Sequence, residues 1–475
     1  MKFTLNKSNG LPVSFRWEKE TKDDFEKDLY NRKVFTGKGG EVYPVLYGEH
    51  PKIYAGLGKK EEFDLVLLKD LCFNLAKLGK KEGLEALTMD FISYEGICKR
   101  RTIRAMVEGF SQIEYKFDRY LKKEDAPSLQ NVNFNVPEDK EDILQEGVDE
   151  ALVLNEAIFH TRDLVNTPAV DMGPTEVSNY AKEVLEPLGV KVTIFDEAKI
   201  KELKMEAFLS VAKGSDKEPK FLIMEYYGNP NSDKKIGFVG KGLTYDSGGY
   251  CIKPPKGMAT MQSDMAGSAT VIGAIEAIAK NKLDKNVIGV AALCENMISG
   301  KAYHTGDIIG SLSGKTIEVG NTDAEGRITL ADSLYYMATE FKPDCIIDLA
   351  TLTGACIVAL GDLASGVVTN NKELLEKVQR AANISDEPIW ELPNFKGYKK
   401  YIKSEVADIY NTSKIMGAGT ITAGLFLENF VEEIPWVHMD IAGTAWLDRQ
   451  IGSLPKGGTG THVKTLYHFV KTAKF

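Results

Sequence analysis

The sequence predicts an α/β protein, with a sheet covered on both faces by helices. Three observations carry this. From about residue 170 onward, apolar runs of strand length alternate with stretches of helical periodicity. Of 475 residues, 43% are hydrophobic and 27% charged, the usage of a globular chain. Residues 1 to about 125 differ in texture, with many Lys and Glu and few glycine clusters, so a first unit precedes the alternating one.

In the first unit, Val66–Leu78 and Thr102–Tyr120 place apolar residues near i, i+3, i+4 and i+7 and read as helices. Lys52–Ala55 and Leu84–Phe91 read as strands. The polar stretch Lys122–Asp142 reads as a linker or surface excursion. Ile143–Val165 reads as one long helix. It ends at Asn166-Thr167-Pro168, because proline disfavours α geometry in the residue before it. The division expected is 1–142, a connecting helix 143–168, and 169–475. Beyond the helix, Glu176–Leu185 is helical, Val190–Phe195 a strand and Ile200–Met205 a short helix. Phe221–Tyr227 and Lys235–Val239 are strands, Ala266–Lys280 a helix and Val287–Leu293 a strand. Ile328–Phe341 is a helix and Cys345–Leu349 a strand.

Composition excludes several classes. Lys+Arg 59 against Asp+Glu 68 gives −9, so the whole chain has no basic footprint for nucleic acid. The most apolar stretch, Cys345–Val368, is interrupted by Asp348, Thr351, Thr353, Gly354, Gly361 and Asp362 and does not read as a membrane span. The first fifteen residues lack the apolar core of a signal peptide. None of the six cysteines forms a C-x-x-C pair, and a reduced, cytoplasmic protein is expected.

Three segments gather chemistry. Val239–Pro255 is glycine-rich and holds Lys241, Asp246 and Lys253 where a strand ends. Sites in open α/β sheets form outside the carboxyl ends of strands. A tight turn that uses its glycines for unusual backbone angles is the alternative. Neither phosphate-loop nor dinucleotide glycine spacing occurs. Asp264 precedes the helix at 266, either as a helix N-cap or as a site residue. Asp323 and Glu325 are two apart and share a side of an extended backbone, with Arg327 on the same parity before the helix. Here the alternative is a solvated acidic turn.

Asp246, Asp264, Asp323 and Glu325 would place four negative charges at one sheet edge. Such a set repels strongly unless cations neutralise it, and two divalent metals would do so. The six histidines form no H-E-x-x-H pattern and read as structural or surface residues. A nucleotide-dependent oxidoreductase or transferase lacks its glycine fingerprint here. A non-enzymatic binding or scaffold protein acting on DNA is disfavoured by the −9 charge.

Together these segments resemble the leucyl aminopeptidase family of dinuclear metallo-exopeptidases. Asn321-Thr322-Asp323-Ala324-Glu325-Gly326-Arg327 matches that family's signature heptapeptide. Val239-Gly240-Lys241-Gly242 with Asp246-Ser247-Gly248-Gly249 and Lys253 matches its metal loop. Thr351-Leu352-Thr353-Gly354-Ala355 and Asp440-Ile441-Ala442-Gly443 match two further blocks. The resemblance implies a small N-terminal α/β domain and a larger C-terminal catalytic α/β domain with a central mixed sheet covered by helices.

It also implies two divalent metal ions per subunit, Mn or Zn, with Mg or Co as alternatives. One is held by Asp246, Asp323 and Glu325, the other by Lys241, Asp246, Asp264 and Glu325. Lys253 is implied as an electrostatic donor and Arg327 as the holder of a bicarbonate that shuttles a proton. The side-chain pocket is implied near Met261, Thr351, Gly354, Ala442 and Ala445. The partners implied are peptides with a free N-terminus and five further copies in a homohexamer, with no membrane or nucleic acid.

Overall fold

The computed structural model describes residues 1–7, 10–122 and 129–474. The chain divides into two compact units, Met1–Glu156 with Gln450–Pro455, and Ala157–Arg449 with Lys456–Phe475. The long helix Glu141–Asn166 carries the division within it.

The first unit is built on a six-stranded sheet. Its order is Lys2–Leu5, Asn131–Asn135, Ala86–Asp90, Leu11–Arg16, Lys52–Gly56 and Val42–Val45. Only the last pair is antiparallel. The helices Leu65–Lys81 and Lys99–Ser111 bury Leu68, Leu71, Leu75, Ile103, Met106 and Phe110 in its core. Asp64 caps the first of them, its carboxylate accepting from Leu67 N at 2.8 Å.

Two expectations are corrected here. The helix expected to reach Tyr120 stops at Ser111 and passes into one tight turn, Gln112–Glu114, from which Ile113 still packs on the core. The expected linker contains the strand Asn131–Asn135, with Val132 and Phe134 fully buried. Its polar composition hid it because the asparagines form a ladder across the sheet. Asn133 accepts from the Thr4 hydroxyl at 3.1 Å and donates to Thr88 at 2.9 Å, and Asn135 donates to Asp90 at 3.0 Å. The expected linker's residues 123–128 lie outside the described residues.

The second unit holds a mixed eight-stranded sheet. Its order is Ile389–Glu391, Ser365–Thr369, Trp436–Asp440, Cys345–Ala350, Ile236–Asp246, Asn286–Asn296, Lys220–Tyr227 and Lys191–Phe195. The four central strands run parallel, so Asp440, Ala350, Asp246 and Asn296 end at one edge. One face carries the helix Ala266–Lys280. The other packs Glu206–Ala212, Gly326–Tyr336 and Gly419–Glu428 around Val239, Ile288 and Ile346.

The strand expected to end at Val239 continues to Asp246, so Gly240 and Gly242 are strand residues. A Cβ on Gly240 would stand 2.5 Å from Ser268 Cα, and its absence is what lets the helix lie against the strand. The helix expected at Ile200–Met205 is Glu197–Glu202, capped by Asp196. Left-handed Lys204 separates it from Glu206–Ala212. The helix expected to run to Phe341 is regular to Tyr336 and ends in a wider turn, Met337–Phe341. Among the described residues no helix is long and apolar enough to cross a membrane.

Candidate active site

The site forms where the central strands end. Lys241 lies inside the Ile236–Asp246 strand and is buried. Its ammonium reaches Asp264 Oδ2 at 2.7 Å, Glu325 Oε1 at 2.9 Å and the Thr351 carbonyl at 3.0 Å. Gly326 is what makes room for it, since a Cβ there would stand 2.3 Å from Lys241 Cε. Five residues beyond Lys241, Asp246 ends the strand, and the chain turns through Gly248 and Gly249 at φ +86° and +61°. That turn delivers Lys253, whose ammonium lies 2.7 Å from Asp246 Oδ2 and 2.6 Å from Asp323 Oδ1.

Asp246, Asp323 and Glu325 each offer a carboxylate oxygen within 4.8 Å of the others. Asp323 and Glu325 converge through a turn, not through the extended parity expected. Glu325 is already in helical geometry at the start of Gly326–Tyr336, and Arg327 sits within that helix's first turn. Asp264 is not an N-cap. Met265 takes that place without a side-chain bond, while Asp264 accepts from Lys241 at 2.8 Å and from the Thr351 hydroxyl at 2.7 Å.

The electrostatics follow from burial. Desolvation pushes the Asp264 carboxyl up to about 6 and Glu325 up to about 8, with repulsion from Asp246 adding to both. Desolvation, again with Asp246, also raises Asp323. Burial alone would lower Lys241 and Lys253. The surrounding carboxylates outweigh it and hold both ammoniums above the ordinary lysine range. Fully ionised, the four carboxylates exceed the two ammoniums by two negative charges, and Glu325 Oε2 makes no hydrogen bond. Such a donor set fits divalent cations.

Sequence reasoning missed the groups that brace this cluster. Asn296, at the end of the neighbouring strand, donates to Asp246 Oδ1 at 2.8 Å and to the Thr322 carbonyl at 3.0 Å. Tyr303 donates to the same carbonyl at 2.9 Å. Asn411 accepts from Gly320 N at 2.7 Å and donates to Asn321 O at 2.8 Å, clamping the turn before Asp323. Position at the shared strand edge was the one signal available for Asn296.

Of the expected pocket residues, Met261, Thr351 and Ala442 are half-buried, Gly354 is exposed and Ala445 is buried. Arg327 is buried, its Nε has no hydrogen-bond partner, and desolvation lowers its pKa to about 10. His438 bonds Asp348 at 2.7 Å and His462 bonds Ser365 at 2.7 Å, both in packed surroundings.

Residues 159–467 match the catalytic domain of the cytosol aminopeptidase family, and residues 23–124 match that family's N-terminal domain. The chain belongs to the cytosol aminopeptidase family. It is 47% identical to a probable cytosol aminopeptidase of Clostridium tetani over 480 residues, covering 100% of both chains. Identity to a probable cytosol aminopeptidase of Treponema denticola is 46%, covering 99% of each.

The solved structure of the bottromycin maturation enzyme BotP superposes with a TM-score of 0.87 at 30% identity, covering 98% of this chain and 99% of that one. A structure of BotP in complex with Mn gives the same TM-score and identity over 97% and 99%. Membership makes this cytosol aminopeptidase-family chain an enzyme, a peptidase.

Proposed function

We propose that this enzyme removes the N-terminal residue from peptides, with two divalent ions bound by the carboxylate–lysine cluster. The observation that carries the reading is the charge deficit just described, with Glu325 Oε2 buried and without a hydrogen bond. Asp246, Asp323 and Glu325 would hold one ion. Lys241, Asp246, Asp264 and Glu325 would hold the other. Mn or Zn fits best, with Mg or Co as alternatives. When bound, the ions supply Lewis acidity toward the scissile carbonyl and lower the pKa of a water toward about 7.

The remaining chemistry belongs to the chain. Lys241 must lose its proton to act as a ligand, against the pull of Asp264, Glu325 and Asp246. The half of the site around Lys241 and Asp264 receives the substrate's α-amine, which an internal peptide bond does not offer. Lys253 presents a positive charge where the carbonyl oxygen becomes negative. Arg327 has no ion-pair partner among the described residues, and its planar guanidinium matches bicarbonate. It would orient that anion as the base for the attacking water. A homohexamer working in the cytoplasm completes the reading.

The deciding experiment compares a peptide with its N-acetylated counterpart. The free-amine peptide should be cleaved far faster. Equal rates would overturn the proposed mode of binding.

A further inference from the structure

We infer that Asp440 is a positioning residue that ties the Lys241–Asp264 half of the site to the substrate pocket. The inference rests on the two-ion reading above. Asp440 is fully buried at the carboxyl end of its strand, opposite Ala350 on the parallel neighbour. Its Oδ1 accepts from Leu352 N at 3.1 Å, Ala442 N at 3.2 Å and Thr353 N at 3.4 Å. Its Oδ2 accepts from the Thr353 hydroxyl at 2.5 Å. One carboxylate therefore holds two loops, each leaving a different central strand.

The first of these loops begins with Thr351. Its carbonyl accepts from Lys241 at 3.0 Å and its hydroxyl donates to Asp264 Oδ1 at 2.7 Å. The path from Asp440 to Lys241 is thus two hydrogen bonds joined by the single peptide group between Thr351 and Leu352. The same loops carry Thr351, Gly354 and Ala442, three of the five residues that the resemblance implies for the pocket. Asp440 itself pairs with neither lysine, and no hydrogen bond joins it to Asp246, Asp323 or Glu325. Its effect should therefore fall on one ion site and on substrate fit, leaving the other ion site alone.

The test titrates metal-free, full-length protein with Mn²⁺ alone by calorimetry, for the parent, Asp440→Ala, Asp440→Asn and Thr353→Val. The parent should show two binding phases. Asp440→Ala should weaken one of them by about 10–100-fold, the range for groups that orient metal ligands, and leave the other unchanged. KM for a leucine anilide should rise as well. Asp440→Asn keeps an oxygen for the backbone donors and should recover most of both. Thr353→Val removes only the hydroxyl bond and should give a smaller shift in the same phase, which keeps the test open should Asp440→Ala not fold. Two phases in all variants at parental affinity and KM would overturn the inference alone, as would equal weakening of both phases. A parent that binds no Mn²⁺ overturns the two-ion reading, and this inference with it.

Discussion

Glu325 Oε1 lies 2.9 Å from the Lys241 ammonium, while Glu325 Oε2 makes no hydrogen bond. The pair is half-satisfied by design of the surrounding charges. Desolvation and Asp246 push the Glu325 carboxyl up to about 8, against the attraction of Lys241. At neutral pH the cluster's own carboxyls therefore hold protons that a cation must displace. Metal affinity should rise with pH through about 8, and binding should release protons. Calorimetry in buffers of different ionisation enthalpy measures this. A chelator should abolish leucine-anilide hydrolysis, and Mn, Co or Zn should restore it. Full activity in protein shown to be metal-free, or binding without proton release, would contradict the charge argument.

Gly326→Ala tests the packing around the same lysine. The added Cβ would meet Lys241 Cε at 2.3 Å and Nζ at 2.8 Å. Lys241 is hemmed in by Asp264, Glu325 and the Thr351 carbonyl and has little room to yield. Overpacking of this kind costs about 1–3 kcal/mol. Denaturant unfolding should show that loss, and hydrolysis should fall with it. A variant with parental stability and rate would mean that the lysine can move freely.

The residues that converge here were legible to unequal degrees. Asp246, Asp323 and Glu325 were legible as acids in loops between apolar elements, and Asp264 as the acid just before a helix; the family's motifs joined the four. Lys241 was legible as a residue but not as a strand position. Gly240 and Gly242 look like loop residues until the helix that lies against them is known. Asn411 gave no signal, and Asn296 none beyond its place at the shared strand edge, because an amide's hydrogen-bond partners are set by tertiary contact. The strand Asn131–Asn135 was hidden for a similar reason. Its polar face is satisfied by Thr4, Thr88 and Asp90, which lie far away in sequence. Long periodic helices such as Ala266–Lys280 needed no such partners to be read.

Acid stability should depend on the first unit's buried Arg16–Glu26 pair. Glu26 accepts from Arg16 Nε at 2.9 Å and from Lys22 N at 2.7 Å. Desolvation alone would raise its pKa, but these bonds outweigh it and hold it below the ordinary value of 4.5. A depressed carboxylate contributes stability that is present above the unfolded pKa and lost as pH falls through the folded one. Denaturation midpoints should therefore drop in acid below about pH 4.5, the unfolded value. Glu26→Gln leaves the Arg16 charge buried and uncompensated, and should cost about 3–5 kcal/mol at neutral pH. It should also flatten the acid limb. An unchanged acid limb in that variant would assign the loss to other carboxylates.

Arg327 should separate from the metal-holding residues in its effects. Its guanidinium is buried in the first turn of Gly326–Tyr336, its Nε has no hydrogen-bond partner, and its pKa is lowered to about 10 by desolvation. It is still charged at neutral pH, and a buried cation without an ion pair calls for an anion. Backbone N–H groups of a helix's first turn favour one as well. On the proposed two-ion reading, Arg327→Ala should keep metal binding and the fold, and should lose bicarbonate dependence with most of the proton transfer, about 10²–10⁴ in rate. Asp323→Ala should instead lower metal occupancy. Bound metal by elemental analysis, and kcat with and without added bicarbonate, distinguish the two variants. Normal kcat with the parental bicarbonate response in Arg327→Ala would remove this residue from proton transfer. Metal loss as severe as in Asp323→Ala would make Arg327 a support of the cluster, and the base for the attacking water would have to be sought elsewhere among the buried groups.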